Sequence, residues 1–222
     1  MKLIEYPDRE MLAIDVANVM AGELENCLLR HESASMAVPG GTTPGPIFDT
    51  LCAADLDWSG VKVMLTDERW VPEGHERSNA SLLRSRLLTD RAAAAQFLPF
   101  YVEGQRPEDA AGPLSDQLAS EMPISLLLLG MGTDMHTASL FPGAEGLEAG
   151  LDEDAPILVP IRAEGQEPRI SLSAAALNGA MSKHLVIFGS DKRDALMRAR
   201  ELPPQKAPIA AVLSDLTVHW AE

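Results

Sequence analysis

The sequence predicts an α/β fold: a mostly parallel open sheet with helices on both faces, with a small additional lobe or antiparallel edge. Three observations predict it. Apolar runs of strand length alternate with helical stripes along the whole chain. The run Ser125-Leu126-Leu127-Leu128-Leu129 is apolar nearly throughout, as a strand covered on both faces must be. A glycine-rich turn joins a strand to a helix between Val38 and Pro46. With 222 residues, 46% of them hydrophobic and 23% charged, the chain suits one α/β domain over residues 1–222, and disorder, collagen-like repeats and coiled coils are excluded.

The elements follow in order. Leu12, Val16, Met20, Leu24 and Leu28 recur every four residues and mark an amphipathic helix that Asp8 caps. Ser35 to Val38 is a strand, Pro39 to Gly45 a turn, and Pro46 sits in the first turn of the next helix. The unit recurs: Val61 to Leu65 is a strand, Thr66 to Ser78 a long polar loop, and Asn79 to Leu88 a helix. Asp109 to Glu121 is helical, the Ser125 to Leu129 strand ends in a loop at Gly130-Met131-Gly132, and Ile157 to Val159, Arg169 to Ser173 and His184 to Phe188 are strands. Asp191 to Arg200 is a helix, and the pair Ala210 to Leu213 and Leu216 to Trp220 closes the chain as either strand or helix. Ligands of such sheets bind beyond the carboxyl ends of the strands, so loops there are the candidates for function.

Charge narrows the classes. Eighteen Lys and Arg against 33 Asp and Glu give −15, a surface that repels nucleic acid and anionic membrane alike. A small anionic substrate then requires a local cluster of cations or backbone N–H donors. Cys27 and Cys52 have no metal-ligand spacing and read as buried, reduced thiols. The chain opens without a cleavable apolar core and holds no membrane-length run, so the expected compartment is the cytoplasm.

Three strand-end loops carry chemistry-bearing residues. Gly40-Gly41-Thr42-Thr43 offers backbone N–H and hydroxyl donors to an anion, or is plain turn punctuation; it lacks the Lys of a phosphate-binding P-loop. Thr66-Asp67-Glu68-Arg69-Trp70-Val71-Pro72 either solvates a surface or braces an anion through Arg69. Gly130-Met131-Gly132-Thr133-Asp134-Met135-His136 matches a dinucleotide fingerprint at too few positions, but sets His136 two residues after an acid, as a base or as a structural histidine. His31, His75, His184 and His219 read as structural.

Together, Val38-Pro39-Gly40-Gly41-Thr42-Thr43-Pro44, Thr66 to Pro72 with Ser78-Asn79, and Leu129 to Pro142 resemble the signatures of the 6-phosphogluconolactonases. Arg169-Ile170-Ser171-Leu172 and Gly189-Ser190-Asp191-Lys192 resemble two later blocks that lactonases share with glucosamine-6-phosphate deaminases. Five ordered motifs cover nearly the whole chain. Deaminases resemble His-Ile-Ala-Phe-Asn-Glu-Pro, with a relay Glu five residues after the His; here that position is Phe141, which favours the lactonase form.

The resemblance implies a Rossmann-like sheet and hydrolysis of 6-phospho-D-glucono-1,5-lactone to 6-phosphogluconate. It implies that His136 activates water and that Asp134 orients the imidazole. Arg69 would stabilise charge on the carbonyl oxygen, and Asp67 would fix Arg69 or bind a sugar hydroxyl. The turn Gly40, Gly41, Thr42, Thr43, with Arg169 and Lys192, would hold the phosphate. A lactone is already an activated ester, so no metal or organic cofactor is chemically required. The expected partner is a phosphosugar lactone alone, with the chain a monomer or small homo-oligomer. The alternatives from other classes are an amino-sugar-phosphate deaminase and a sugar-phosphate-binding protein without chemistry. In one departure, Met135 stands where lactonases usually have the Gly of Asp-Gly-His, which implies either backbone strain or a shifted loop.

Overall fold

The computed structural model describes residues 1–222. The chain enters through β1 (Lys2–Glu5) and passes into the helix α1 (Arg9–Leu28). Asp8 caps that helix as its position predicts, its carboxylate accepting from the Met11 N–H at 2.8 Å. The stripe at Leu12, Val16, Met20 and Leu24 is fully buried. Then come β2 (Ala34–Val38), α2 (Gly45–Leu51), β3 (Val61–Leu65), β4 (Asp67–Arg69), α3 (Asn79–Arg86) and β5 (Gln96–Leu98). The second half runs α4 (Pro107–Leu118), β6 (Leu126–Leu129), α5 (Leu147–Leu151), β7 (Leu158–Ile161), β8 (Arg169–Leu172), α6 (Ala174–Asn178), β9 (Ser182–Phe188), α7 (Ser190–Ala199) and β10 (Thr217–Ala221).

Seven strands form one parallel sheet in the order β1-β10-β9-β6-β2-β3-β5. From β2 the chain steps outward to β3 and β5; from β6 it steps the other way, to β9 and β10. Right-handed crossovers therefore put α1, α2 and α3 on one face and α4 and α7 on the other. β2 and β6 are neighbours whose continuations diverge, which opens a crevice between the loops at their carboxyl ends. The glycine-rich turn follows β2 and the Gly130 loop follows β6, so the topology alone delivers two of the three candidate loops to one place.

The third arrives by a local departure from the parallel sheet. After β3, Thr66 bridges the two sheets: its N–H donates to the Val38 carbonyl at 2.9 Å and its own carbonyl accepts from Leu172 at 2.8 Å. The chain then continues as β4 in a small antiparallel sheet of order β4-β8-β7, the predicted antiparallel extension. The polar stretch 66–78, expected to be all loop, thus contains a strand. Asp-Glu-Arg has no apolar alternation to announce one, and β4 exists because β8 supplies its ladder partners.

Two other readings are refined. Residues 208–212 form a 3₁₀ turn after Pro208, whereas Thr217–Ala221 is a central strand between β1 and β9. Strand β5 went unread because it is three residues at the sheet's edge. Both cysteines are free thiols, Cys52 buried and Cys27 half-buried. No helix is long and apolar enough to cross a membrane.

The structural histidines of β9 and β10 form a buried chain. The Tyr6 hydroxyl meets His219 Nδ1 at 2.9 Å, His219 Nε2 meets His184 Nδ1 at 3.0 Å, and His184 Nε2 meets a Glu23 oxygen at 3.0 Å. Burial, reinforced by His184, pushes the His219 pKa down to about 4. The folded pKa lies below the unfolded one, so the unfolded chain takes the proton first as pH falls. Stability is then lost progressively from about pH 6.5 to about pH 4, by about 3 kcal/mol in all. Urea denaturation of wild type and His219→Gln at pH 7 and pH 5 checks this: the variant should lose about 2 kcal/mol less on acidification, and equal losses would reject the assignment.

Candidate active site

The three loops and the β8 strand enclose a cleft of about 280 Å³. Gly40, Gly41, Thr42, Thr43, Asp67, Arg69, His136, Arg169 and Lys192 all line it. Of the sequence-predicted residues only Asp134 is outside the lining, an exposed side chain in contact with His136. The lining carries three cations, Arg69, Arg169 and Lys192, against the single carboxylate of Asp67. A chain of net charge −15 therefore holds a locally cationic cleft.

The cations are brought together by register. In the β4–β8 ladder Arg69 lies directly opposite Arg169, and Asp67 opposite Ser171. Because strand side chains alternate, Asp67, Arg69, Arg169 and Ser171 share one face while Glu68 and Ile170 share the other. Like charges directly opposite are unfavourable unless something between them is anionic. The Nε–H groups of both arginines are buried without an acceptor.

Each guanidinium is held at its other edge. Arg69 donates through Nη1 to the Arg77 carbonyl at 2.7 Å. Arg169 donates to Gln166 at 2.7 Å and stands 3.5 Å from the Asp67 carboxylate. Asp67 thus faces Arg169 rather than Arg69, because its side chain also accepts from Thr66 at 3.0 Å and Ser139 at 2.5 Å. Lys192, in the first turn of α7, is half-buried; burial lowers its pKa, with no carboxylate opposing.

The turn after β2 is shaped by a close approach. A Cβ on Gly40 would fall 2.0 Å from the Asn79 side-chain oxygen, and Gly41 adopts φ +86, which suits glycine. Asn79 is itself fixed by donating to the Asp67 carbonyl at 2.9 Å. The N–H groups of residues 40 to 43 are absent from the backbone hydrogen-bond network, which leaves them as donors beside the cleft.

On the opposite wall, the Nδ1 atom of His136 meets Asp134 Oδ1 at 2.5 Å, and that oxygen also accepts the His136 backbone N–H at 3.2 Å. The imidazole contact holds the Asp134 carboxyl below its ordinary pKa. An ionised carboxylate only accepts, so Nδ1 is the ring nitrogen that carries the hydrogen in this contact, and the Nε2 lone pair is the one available in the neutral imidazole. Gly132 makes room for the dyad: a Cβ there would lie 2.3 Å from Nδ1 and 2.4 Å from the Asp134 oxygen.

Of the two outcomes implied at Met135, the loop takes strain. Its φ is +68, a left-handed conformation that costs a residue with a Cβ about 1 kcal/mol. The loop is tied in this conformation at several points. Met135 N–H donates to Gly132 at 2.9 Å, its carbonyl accepts from Ile209 at 3.1 Å, and the Thr137 hydroxyl donates to Gly130 at 2.9 Å.

Sequence reasoning assigned no role to three further residues. Glu68, fully buried, accepts from the N–H groups of Arg69, Asn79 and Ala80 and from the Ser78 hydroxyl, and so anchors α3 beneath the site. Burial pushes its pKa up while those four donors oppose the shift. Ser139 links the histidine loop to β4 and β8, donating to Asp67 and accepting from Arg169 at 3.4 Å. Phe141 lies between His136 and Arg169. All three lie inside motifs read in the sequence, Glu68 in Thr66 to Pro72 and Ser139 and Phe141 in Leu129 to Pro142, where Phe141 separated the lactonase form from the deaminase form; what the motifs do not announce is the contacts these side chains make.

Comparisons with known proteins identify the family of the chain. The profile of the family "Glucosamine-6-phosphate isomerases/6-phosphogluconolactonase" matches residues 7–220. A 6-phosphogluconolactonase of Rhizobium meliloti is 39% identical over 229 aligned positions, covering 100% of this chain and 98% of that protein. One from Mesorhizobium japonicum is 41% identical over 223, covering 97% and 93%. The crystal structure of a 6-phosphogluconolactonase from Shewanella baltica superposes with a TM-score of 0.96 at 30% identity, over 100% of this chain and 98% of that one. A profile matched almost from end to end, and relatives this similar over their whole lengths, place the chain: it belongs to the glucosamine-6-phosphate isomerase/6-phosphogluconolactonase family.

Proposed function

We propose that the chain hydrolyses 6-phospho-D-glucono-1,5-lactone to 6-phospho-D-gluconate, with His136 as the base. The observation that carries this reading is an Asp134-oriented imidazole across one cleft from three cations. Water attacks the lactone carbonyl carbon as His136 Nε2 takes its proton, giving a tetrahedral oxyanion beside Arg69. The oxyanion collapses, the bond from that carbon to the ring oxygen breaks, and the ring oxygen leaves as a hydroxyl with the proton that His136 returns. A guanidinium stays charged throughout, which suits Arg69 to the oxyanion.

The phosphate is assigned to Arg169, Lys192 and the N–H and hydroxyl groups of Gly40, Gly41, Thr42 and Thr43. A dianion there satisfies the unpartnered Nε–H of Arg169, as the oxyanion does that of Arg69, and the two anions relieve the repulsion between the opposed cations. The test is a coupled assay in which glucose-6-phosphate dehydrogenase makes the lactone in place. 6-Phosphogluconate should appear faster than by spontaneous hydrolysis, in proportion to added protein. A rate equal to the spontaneous one rejects the reading, and ammonia release from glucosamine-6-phosphate would assign the deaminase reaction instead.

A further inference from the structure

His136 and Arg169 are each held by hydrogen bonds only along an edge. Asp134 grips the imidazole at Nδ1, and Gln166, Ser139 and Asp67 lie along the guanidinium at its Nη atoms. An edge contact fixes where a planar group sits and leaves its tilt about that edge free. Tilt is set by what packs beside the plane, and one side chain, Phe141, packs against both groups. The Phe141 ring centroid is 4.4 Å from that of His136, at an interplanar angle of 40°, and 5.0 Å from Arg169 Cζ.

The ring itself is well placed to serve as a reference surface. It is 8% exposed. The chain on either side of it is pinned: Ser139 N–H donates to the Ser171 hydroxyl at 3.1 Å, Leu140 N–H to the Thr137 carbonyl at 3.0 Å, and the Phe141 carbonyl accepts from Ala144 at 3.1 Å. Leu140, next to it, is fully buried. Phe141 has no polar atom to offer a substrate, and it is absent from the residues lining the cleft.

We infer that Phe141 is a positioning residue that sets the planes of His136 and Arg169 together, so that base and anion grip stay aimed at one substrate. This rests on the lactonase reading. Its consequence separates it from both groups it touches: if His136 serves turnover and Arg169 serves binding, a residue that orients both must affect kcat and KM at once.

The test is steady-state lactonase kinetics of Phe141→Leu and Phe141→Tyr beside wild type, well below their melting temperatures. Leu keeps an apolar side chain and removes the aromatic face; Tyr keeps the face. F141L should lower kcat by about 10-fold or more, since a tilted base misses its near-attack geometry. It should also raise KM by about 3- to 10-fold, the worth of a lost cation–π contact. F141Y should hold both within about 3-fold, the gap that an intact ring face predicts. The inference is overturned if F141L changes neither constant while only lowering Tm, or if F141Y is as impaired as F141L. Should F141L fail to fold, the wild-type protein decides by NMR. Nuclear Overhauser contacts between the rings of Phe141 and His136, retained with 6-phosphogluconate bound, support the inference, and their absence overturns it. Inactive wild-type protein would instead reject the lactonase reading, which the NMR contacts do not depend on.

Discussion

Replacing His136 by Ala is expected to lower kcat by about 10²- to 10⁴-fold, the usual worth of a positioned general base, and to leave KM within about threefold. The split follows from geometry. The imidazole is 29% exposed at the cleft wall and is bonded through Nδ1 to Asp134, so Nε2 is the ring atom left for the proposed base. The cations assigned to the phosphate stand on β8 and α7 and do not depend on the imidazole for their hydrogen bonds. The measurement is the coupled assay under saturating lactone, together with 6-phosphogluconate affinity by calorimetry. Turnover within a few-fold of wild type would remove His136 from the mechanism, and lost affinity with unchanged turnover would reverse the assigned roles.

The second large effect falls on binding. Arg169→Ala should raise KM by about 10- to 100-fold, since hydrogen bonds to charged groups are worth about 1.5–3 kcal/mol each, while kcat changes far less. Part of the loss is indirect, because buried Asp67 would be left with only Thr66 and Ser139 as donors. Thermal denaturation of the variant separates that structural cost from the loss of affinity. The companion measurement uses the parent protein: D-glucono-1,5-lactone without a phosphate should be a much poorer substrate, by a comparable factor in kcat/KM. Equal hydrolysis of both lactones would dismantle the phosphate grip.

Much of this architecture is legible in the residues because it depends on local rules. The four-residue stripe of α1, its Asp8 cap, and the apolar β2 and β6 strands each report their own burial. Strand alternation with helices then implies a parallel sheet whose loops converge at one end. Five of the motifs fall at that end or beside it, and nine of the ten residues singled out line one cleft. The elements left unread were short, β4 and β5 among them, and take their structure from neighbours in the sheet more than from their own composition, while β10, read as strand or helix, became a strand by pairing with β1 and β9.

The sequence by itself determined the fold class, the family and the identities of the chemical groups, because periodicity, turn residues and motif order are properties of neighbouring positions. It also posed the question at Met135, and left it open. Only the tertiary structure decided that Met135 takes φ +68, that Asp67 faces Arg169, and that Arg69 and Arg169 stand opposite each other. It alone put Ser139 and Phe141 between the two halves of the site. The reason is physical: apart from the five-residue step from His136 to Phe141, these contacts join residues tens of positions apart, and a one-residue slip in the β4–β8 register would turn Asp67 and Arg69 away from Arg169.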